Sequence, residues 1–342
     1  MNKISQPKVS VIIPTYNSQS VIEECLNSIL NQDYPVLEVI VVDDGSPDET
    51  LIKISKYPIK SVVNPGNYGA AHSRNIGVKN MDLESEIIIF IDSDIRVPAT
   101  AVSSAVKAIL EKSEILAVGG IYSQNSENFD FITDFKNMDL AYRASIYTSH
   151  VKYLGSFFLA IKKSTFLEAG GFSTDFPGSS VEDVEFGYRV TRGKNLMFIN
   201  KNILLDHLKN FTLYTMLKTD FQRVINLIKI IKKSQGKYKA GEHAPLPYII
   251  NLFLPALILL AVIAEIKFKL KWLTLYLVLF FIINNYRFLI FLFKKRGIIF
   301  STKSIGILFI EYIVVEIAIL ASFFIKPIKK QESLNNAEIL FK

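Results

Sequence analysis

Strand and helix signals alternate along the first ninety-two residues, and this alternation limits the fold more than any other feature. Runs rich in β-branched or apolar residues lie at 9–13, 37–42, 61–63 and 87–91. A segment with helical spacing or helix-start residues follows each of the first three runs. Strands joined through helices pair in parallel and carry helices on both faces. The sequence therefore predicts an α/β fold with a mostly parallel, Rossmann-like sheet flanked by helices.

Two of these helices carry recognisable start signals. Ser20 is followed three residues later by Glu23, which is the pattern of a capping box. Ser46, Pro47 and Glu49 combine a cap, a first-turn proline and an acid in the same way. We therefore expect helices to begin at Ser20 and at Ser46.

The chain has one cysteine, Cys25, on the apolar stripe of the first predicted helix. A single cysteine cannot form a disulfide within the chain, which excludes a small disulfide-stapled scaffold. The N-terminal residues also lack a basic segment followed by an apolar core, so we expect no secretory signal peptide.

Hydrophobic residues make up 50% of the chain, and the mean hydropathy is +0.28. The excess lies in three C-terminal stretches at 246–264, 272–293 and 305–325. Each has about 20 residues, which at ~1.5 Å per residue is enough to cross a hydrocarbon core of about 30 Å. We expect a membrane region at 246–330 with about three transmembrane helices, followed by a polar tail at 331–342. The alternative is a buried helical core.

A basic amphipathic segment at 211–239 precedes the apolar stretches, and only Asp220 opposes its basic residues. These are Lys218, Arg223, Lys229, Lys232, Lys233, Lys237 and Lys239. The pattern predicts an interfacial helix and linker at 208–245 on an anionic membrane surface, although a solvated helix face has similar composition. The net charge of +7 is therefore attributed to membrane contact, and we expect no nucleic-acid partner.

The charged residues inside the apolar stretches include Arg287 and Glu311. Arg287 and Glu311 are at similar distances from the loop between the second and third stretches, so antiparallel helices would hold them at similar depth. We expect them to approach each other. The alternative is that Arg287 extends to the interface and that Glu311 faces the catalytic domain or a lipid phosphate.

Acidic residues follow two of the predicted parallel strands, at the sheet edge where ligands bind in such folds. Asp43 and Asp44 can accept hydrogen bonds from a nucleobase and a ribose. The alternative for Asp43 is that it caps its local turn. Asp92 and Asp94 are hard oxygen ligands at positions i and i+2, which suits Mg²⁺ or Mn²⁺ bridging a diphosphate. Such triplets are also common among solvated loop acids.

The segment at 65–75 is rich in small residues and opens a predicted helix. Gly69 permits a close approach to the backbone, and Arg74 near the helix start favours an anionic phosphate. Neither G-x-x-x-x-G-K-[ST] nor G-x-G-x-x-G occurs in the chain. The absence of both motifs argues against nucleoside triphosphate hydrolysis by a Walker loop and against hydride transfer by a Rossmann-type dehydrogenase.

Taken in order, these motifs resemble the family 2 glycosyltransferases with the GT-A fold. The matching segments are Pro14-Thr15-Tyr16-Asn17, Asp43-Asp44-Gly45-Ser46, Asn67-x-Gly69 to Arg74-Asn75, Asp92-Ser93-Asp94, Gly155 to Ile161, Gly170-Gly171-Phe172 and Glu182 to Arg189. The resemblance covers residues 9–207 and implies a catalytic domain at 1–207. It also implies inverting transfer from a nucleotide-diphosphate sugar.

The resemblance implies roles for individual residues. The nucleotide-sugar site would comprise Pro14, Tyr16, Asp43, Asp44, Gly69, Arg74, Asp92 and Ser93. Mg²⁺ or Mn²⁺ would be bound by Asp92, Asp94 and His207. Asp183 would be the general base that takes the acceptor proton, with Glu182 as the alternative. Two acids at a helix start also favour the helix dipole, and a lone histidine is often a core or solvated residue.

The chain departs from the processive synthases of this family, which carry a Q-x-x-R-W segment. Its nearest approach, at 222–224, lacks both the spacing and the tryptophan. We expect transfer of a single sugar to a polyprenyl-linked or other membrane-held acceptor, in glycan or cell-surface polysaccharide biosynthesis. The enzyme would be a multi-pass protein of the cell membrane with its catalytic domain in the cytoplasm, and it could form oligomers. The alternatives are a sugar nucleotidyltransferase and a non-catalytic nucleotide-binding membrane scaffold.

Overall fold

The structure is a computed structural model that describes residues 6–112, 114–125, 130–175, 181–233, 246–269 and 272–324. The predicted polar tail at 331–342 and the part of the predicted linker at 234–245 lie outside the described residues.

Strands and helices alternate over the first two thirds of the chain. The described strands are β1 (Val9–Thr15), β2 (Glu38–Asp43), β3 (Lys60–Val63), β4 (Ile87–Ile91), β5 (Ile95–Arg96), β6 (Ala117–Tyr122), β7 (His150–Val151), β8 (Phe158–Lys162) and β9 (Met197–His207). The helices among them are α1 (Ile22–Leu30), α2 (Thr50–Ile54), α3 (Ala70–Lys79), α4 (Ala101–Glu111), α5 (Phe131–Ile146), α6 (Lys163–Glu168) and α7 (Glu182–Thr191). Helices alone follow β9, namely α8 (Leu213–Lys233), α9 (Leu246–Asn251), α10 (Leu254–Phe268), α11 (Leu273–Asn284), α12 (Tyr286–Arg296) and α13 (Ile298–Phe324).

The strands pair in the order β3-β2-β1-β4-β8-β6-β9-β5, and β7 pairs with β9. The first four strands of this order are parallel, as the alternation of strands and helices predicts. Strand β8 is antiparallel to both β4 and β6, whereas β6 and β9 are parallel. The predicted α/β fold with a mostly parallel sheet flanked by helices is confirmed.

Each face of the sheet has its own apolar core. Alternate residues of a strand point to opposite faces, so Val11 packs with α1 and α4 while its neighbour Ile12 packs with α3. Strand β4 is buried on both faces along its whole length. Cys25 is a free, buried cysteine on the α1 face that packs on the sheet, as its position on the apolar stripe predicts.

The predicted helix starts at Ser20 and Ser46 are wrong. Helix α1 begins at Ile22 after Val21, and no side chain caps it. Helix α2 begins only at Thr50, where the Asp48 carboxylate accepts a hydrogen bond from the Thr50 N–H at 3.0 Å. Ser46 instead uses its backbone N–H to bind Asp43. Capping patterns describe local preferences, and contacts made by the neighbouring loops override them here.

Contacts divide the described residues into two compact units. The first consists of the described residues within 6–125 and 144–209 and includes the sheet. The second contains the described residues of 130–143 and 210–324, so most of α5 groups with the C-terminal helices. The core of the second unit includes Phe135 and Met138 from α5 with Phe288, Leu292 and Tyr312.

The predicted membrane stretches differ in their ability to span a bilayer. The stretch at 246–264 is divided between α9 and α10, where Pro255 lies in the first turn of a new helix. The stretch at 272–293 is divided between α11 and α12, which are bent by 64°. Of the helices described, α13 is long and apolar enough to cross a membrane by itself, and α11 with α12 adds a second span if the bent pair is counted as one. The prediction of about three transmembrane helices is therefore supported by length and composition for the third stretch, allowed for the second only as a bent span, and not supported for the first.

The expected approach of Arg287 to Glu311 is also wrong. Glu311 accepts a hydrogen bond from the Lys136 ammonium at 2.9 Å. Arg287 is exposed and donates from Nε to the Tyr286 hydroxyl at 3.0 Å. Helix α5, which lies outside the apolar stretches in sequence, supplies the counter-charge for Glu311. Asp220, the lone acid of the basic helix α8, binds the same ammonium.

Gly187 marks a close contact between α7 and the segment before β8. A Cβ atom at this position would lie 2.3 Å from the Tyr153 Cβ and 2.6 Å from its Cα. We expect Gly187→Ala to lower the free energy of unfolding by about 1–3 kcal/mol, because overpacking displaces the neighbouring backbone. Thermal unfolding of the purified chain measures this effect. Gly66→Ala is the control, because a Cβ there meets nothing within 4 Å, and an equal effect of both substitutions would contradict the prediction.

Candidate active site

A cavity of about 260 Å³ opens at the carboxyl ends of the parallel strands β1, β2 and β4, where open α/β sheets bind ligands. Its lining comprises Pro14, Thr15, Tyr16, Asp44, Asn67, Gly69, Ala70, Asp92, Ser93, Asp94 and Lys209. Seven of the residues predicted for the nucleotide-sugar and metal sites thus lie around one space. They are Pro14, Tyr16, Asp44, Gly69, Asp92, Ser93 and Asp94.

Asp44 connects the end of β2 to the start of α3. Its Oδ1 accepts a hydrogen bond from the Asn64 side chain at 2.7 Å, and its Oδ2 accepts one from the Gly69 N–H at 2.6 Å. Asp43 is buried and accepts from the Ser46 N–H, which fits a role in supporting the loop. Gly45 has a φ of +76°, and a Cβ there would lie 3.0 Å from the Gly66 Cα. A glycine is therefore needed to bring these two loops together.

The end of β1 offers an aromatic ring and a hydroxyl group to a ligand. The Tyr16 side chain is 42% exposed, so its face is available for stacking. The Thr15 Oγ1 is buried and has no hydrogen-bond partner among the described residues. A buried hydroxyl group without a partner costs free energy, which a ligand in the cavity can recover. Ser18 fixes this loop against Ser93, with 2.8 Å between their hydroxyl oxygens.

Arg74 lies beneath the cavity and binds two carboxylates. Its side chain is 1% exposed; Nη2 donates to Asp92 Oδ1 at 2.6 Å, and Nη1 donates to Glu182 Oε1 at 2.9 Å. Burial would lower the pKa of Arg74, but the charges of Asp92 and Glu182 outweigh it and raise that pKa. The guanidinium therefore positions protein groups and does not line the cavity. It connects the loop after β4 to the start of α7.

Glu182 is a poor candidate for a proton acceptor in this environment. It is 2% exposed, and its two carboxylate oxygens accept hydrogen bonds from Arg74 and from the Val181 N–H. Asp183 follows it in the first turn of α7, is partly exposed, and accepts from the Val184 N–H at 2.7 Å. Asp183 is not among the described residues that line the cavity. Its role as a base stays a prediction.

Helix α7 is held in place near its other end by Arg189. Its guanidinium binds Glu185 one turn earlier, with Nε 2.8 Å from Oε1, and Nη2 donates to the Gly171 carbonyl at 2.8 Å. Arg189 thus pairs with Glu185 across one helical turn. The start of α7 is therefore held by the ion pair between Glu182 and Arg74, and its other end by hydrogen bonds from Arg189 to backbone carbonyls.

Asp94 and His207 form the part of the predicted metal site that the structure brings together. His207 Nε2 lies 3.7 Å from Asp94 Oδ2, and strand pairing places His207 opposite Ile95. Asp92 instead binds Arg74. In the part of the chain that is described, no three His, Cys, Asp or Glu side chains are grouped to hold a metal ion. One carboxylate and one imidazole nevertheless fit Mn²⁺ or Mg²⁺, because such ions take their remaining ligands from substrate phosphates and water.

The two aspartates of this loop differ in acidity. Desolvation and the neighbouring Asp94 raise the pKa of Asp92 above its ordinary value, although Arg74 opposes the shift. Desolvation would also raise the pKa of Asp94, but His207 and Lys209 outweigh it, so that this pKa is lowered. Asp94 is therefore anionic at neutral pH, which is the form that binds a metal ion.

Four lining residues were missed by the sequence analysis as site residues, namely Thr15, Asn67, Ala70 and Lys209. The first three lie inside motifs that the analysis did quote. Lys209 follows His207 by two residues and belongs to none of the quoted motifs. Only the pairing of β9 with β5 brings it to the cavity.

Comparison with known proteins agrees with this geometry. Residues 10–167 match the model of the family described as glycosyl transferase family 2. The glycosyltransferase GlyA of Streptococcus pneumoniae serotype 4 is 34% identical over 122 residues, which are 34% of this chain and 17% of GlyA. The poly(ribitol-phosphate) beta-N-acetylglucosaminyltransferase TarS of Staphylococcus aureus is 44% identical over 94 residues, which are 25% of this chain and 16% of TarS. The chain thus matches less than a fifth of the length of either relative.

A solved structure covers nearly the whole chain. The mannosyltransferase PcManGT from Pyrobaculum calidifontis, solved with GDP-Man and Mn²⁺, superposes with a TM-score of 0.59 at 20% identity. The match covers 94% of this chain and 88% of PcManGT, and at this identity it establishes the fold alone. The sheet order, the cavity at its carboxyl edge and the family match lead to one conclusion. Residues 10–167 are similar to glycosyl transferase family 2, and the described chain has a GT-A-like fold.

Proposed function

We propose that this protein is a membrane-associated glycosyltransferase that transfers one sugar from a nucleotide-diphosphate sugar to an acceptor held at the membrane, with inversion at the anomeric carbon. The observation that carries the proposal is the buried Arg74, which binds Asp92 beside the cavity and Glu182 at the start of α7. This bridge holds the loop predicted to face the diphosphate next to the helix predicted to supply the base.

The reaction assigns a task to each part of the site. Tyr16, Thr15 and the loop of Asp44 bind the nucleoside. Asp183 accepts the proton of the acceptor hydroxyl group while that oxygen attacks the anomeric carbon from the face opposite the diphosphate. The bond from this carbon to the diphosphate oxygen breaks, and the nucleoside diphosphate leaves. A carboxylate placed in this way accelerates the reaction by roughly 10²–10⁴-fold, which is the usual contribution of a general base.

Asp94 and His207 would hold Mn²⁺ or Mg²⁺, and the mannosyltransferase of similar fold was solved with Mn²⁺. A bound divalent ion neutralises charge on the leaving diphosphate. The Arg74 guanidinium donates to Asp92 Oδ1 at 2.6 Å and so holds this carboxylate in place beside the cavity. The proposed ligand set is therefore smaller than the predicted one, with Asp92 as a supporting residue.

The second unit supplies support for membrane association. Helices α10 and α11 expose many large apolar side chains, among them Leu260, Ile263, Ile266 and Tyr276, each at least 60% exposed. Exposed apolar surface of this extent marks contact with a membrane or a partner, and α13 is long enough to span. We place the catalytic unit in the cytoplasm, where nucleotide sugars are supplied, and propose a polyprenyl-linked acceptor.

Donor hydrolysis by the purified full-length protein tests the proposal. UDP-, GDP- and dTDP-sugars are incubated with the protein and Mn²⁺, and we expect one of them to release its nucleoside diphosphate. Release of the diphosphate also separates a glycosyltransferase from a sugar nucleotidyltransferase, which makes or consumes the triphosphate, and from a non-catalytic scaffold. The proposal is refuted if the protein neither hydrolyses nor binds any of these donors.

Asp94→Ala is expected to weaken Mn²⁺-dependent binding of the nucleoside diphosphate by roughly 10- to 100-fold, because it removes a ligand of the ion. Calorimetric titration measures the affinity. The control is Glu114→Ala, which removes an exposed acid between α4 and β6 and should leave binding unchanged. Equal affinities of Asp94→Ala and the wild type would contradict the assignment of Asp94.

A further inference from the structure

Lys209 introduces a positive charge into a cavity that is otherwise acidic. The described lining residues include three carboxylates, Asp44, Asp92 and Asp94, and Lys209 is the basic side chain among them. Arg74 lies beneath the lining and is bound to two acids of its own. Lys209 is thus the one cation among the described residues that line the cavity.

The backbone around Lys209 is fixed beside the Asp94 loop. Strands β5 and β9 pair antiparallel, with Ile95 opposite His207. The Leu208 N–H then donates to the Asp94 carbonyl at 2.8 Å. Lys209 follows directly, and its side chain is exposed. A flexible, exposed ammonium group on a fixed backbone position can reach phosphate oxygens on the same side of the cavity as Asp94.

The negative charges of the site and of the donor make a further positive charge favourable. Arg74 offsets one of the two acids that it binds, Asp92 and Glu182, and Asp94 contributes a further negative charge. A nucleotide sugar adds two acidic phosphates, and the nucleoside diphosphate gains one more negative charge when the sugar leaves. A divalent ion held by Asp94 and His207 would offset only part of this charge. Further positive charge beside Asp94 is therefore favourable, most of all when the leaving group departs.

We propose that Lys209 binds the diphosphate of the donor and stabilises the nucleoside diphosphate as it leaves. The inference deepens the proposed function and rests on it. The ammonium donates a charge-assisted hydrogen bond to a phosphate oxygen while the bond from the anomeric carbon to the diphosphate breaks. The proton taken from the acceptor goes to Asp183, so Lys209 remains an ammonium throughout. Lys209 is then a catalytic residue outside the sequence motifs.

The test compares Lys209→Ala and Lys209→Arg with the wild-type full-length protein in detergent and Mn²⁺. UDP, GDP and dTDP are titrated calorimetrically, and the one that binds is then compared with its own nucleoside monophosphate. We expect Lys209→Ala to weaken diphosphate binding by roughly 10- to 100-fold, the usual range for a hydrogen bond to a charged group. Monophosphate binding should change by less than about twofold, because the shared phosphate and nucleoside keep their other contacts. Lys209→Arg should restore most of the affinity and of kcat, since it keeps the charge.

The control is Lys194→Ala, which removes an exposed lysine in the loop between α7 and β9 and should change neither affinity nor kcat. An unchanged diphosphate affinity in Lys209→Ala, or an equal loss for both nucleotides, overturns the role of Lys209 while the proposed function stands. If the wild type binds none of the three diphosphates, the proposed function itself fails. Thermal unfolding of each variant shows that the fold is intact, as expected for a substitution at an exposed side chain.

Discussion

Replacing Asp183 with asparagine is expected to lower the turnover of sugar transfer by roughly 10²–10⁴-fold, the usual contribution of a general base. The amide has nearly the shape of the carboxylate but cannot accept a proton from the acceptor hydroxyl group. Asp183 is partly exposed at the first turn of α7, so the change should disturb neither the fold nor the donor cavity. Affinity for the nucleoside diphosphate with Mn²⁺ should therefore remain within about twofold of the wild type.

Two substitutions on the same helix make this prediction specific. Glu185→Gln removes an acid whose Arg189 partner lies one turn away, and it should leave turnover nearly unchanged. Glu182→Gln weakens the bond to the buried Arg74, so we expect it to lower the unfolding temperature as well as the rate. Steady-state transfer, nucleotide titration and thermal unfolding of all three variants are needed. If Asp183→Asn kept more than about a tenth of the turnover, another group would have to be the base.

The second large effect is expected at Lys136 in the second unit. Its ammonium lies 2.9 Å from both oxygens of Asp220, 2.9 Å from Glu311 and 3.8 Å from Asp139. These side chains are at most 10% exposed and come from α5, α8 and α13. Lys136→Met would remove this counter-charge from the buried carboxylates of Asp220 and Glu311, whereas Asp139 would keep its ion pair with Arg143. We expect it to lower the free energy of unfolding by about 3–5 kcal/mol.

Thermal unfolding of the detergent-solubilised chain measures this loss. Lys107→Met is the control, because Lys107 lies 3.8 Å from Glu111 with both side chains exposed, and such pairs contribute little. The triple variant Lys136→Met, Asp220→Asn, Glu311→Gln removes the stranded charges together with the lysine, so it should regain a large part of the lost stability. Equal unfolding temperatures for Lys136→Met and Lys107→Met would contradict the assignment of Lys136 as the centre of the cluster.

Periodicity and strand-end residues predicted the sheet and most of the cavity. The run at 87–91 is apolar throughout because β4 is buried on both faces, and the acids that follow it therefore lie at the carboxyl edge. The same logic placed Pro14, Tyr16 and Asp44 at that edge. These predictions succeeded because strand direction and side-chain alternation are repeated along the chain and can be read locally.

Two predictions that required a partner from elsewhere in the chain failed. Arg74 was expected near a phosphate, but its guanidinium binds Asp92 and Glu182, which is 108 residues away in sequence. Glu311 was expected to meet Arg287, but it binds Lys136, 175 residues away. A buried charged side chain needs a group of opposite charge beside it, and the sequence alone does not identify that group.

The amino-acid sequence by itself determined the α/β sheet, the parallel direction of its first strands and the edge at which polar residues gather, because these follow from local hydrophobic periods and short connections. Tertiary structure alone decided which acids are available to a ligand, which are held by Arg74 and Lys136, and that Lys209 reaches the cavity. The physical reason is that burial makes each charge depend on its neighbours in space, and the pairing of β9 with β5 and β6 brings together residues that are far apart along the chain.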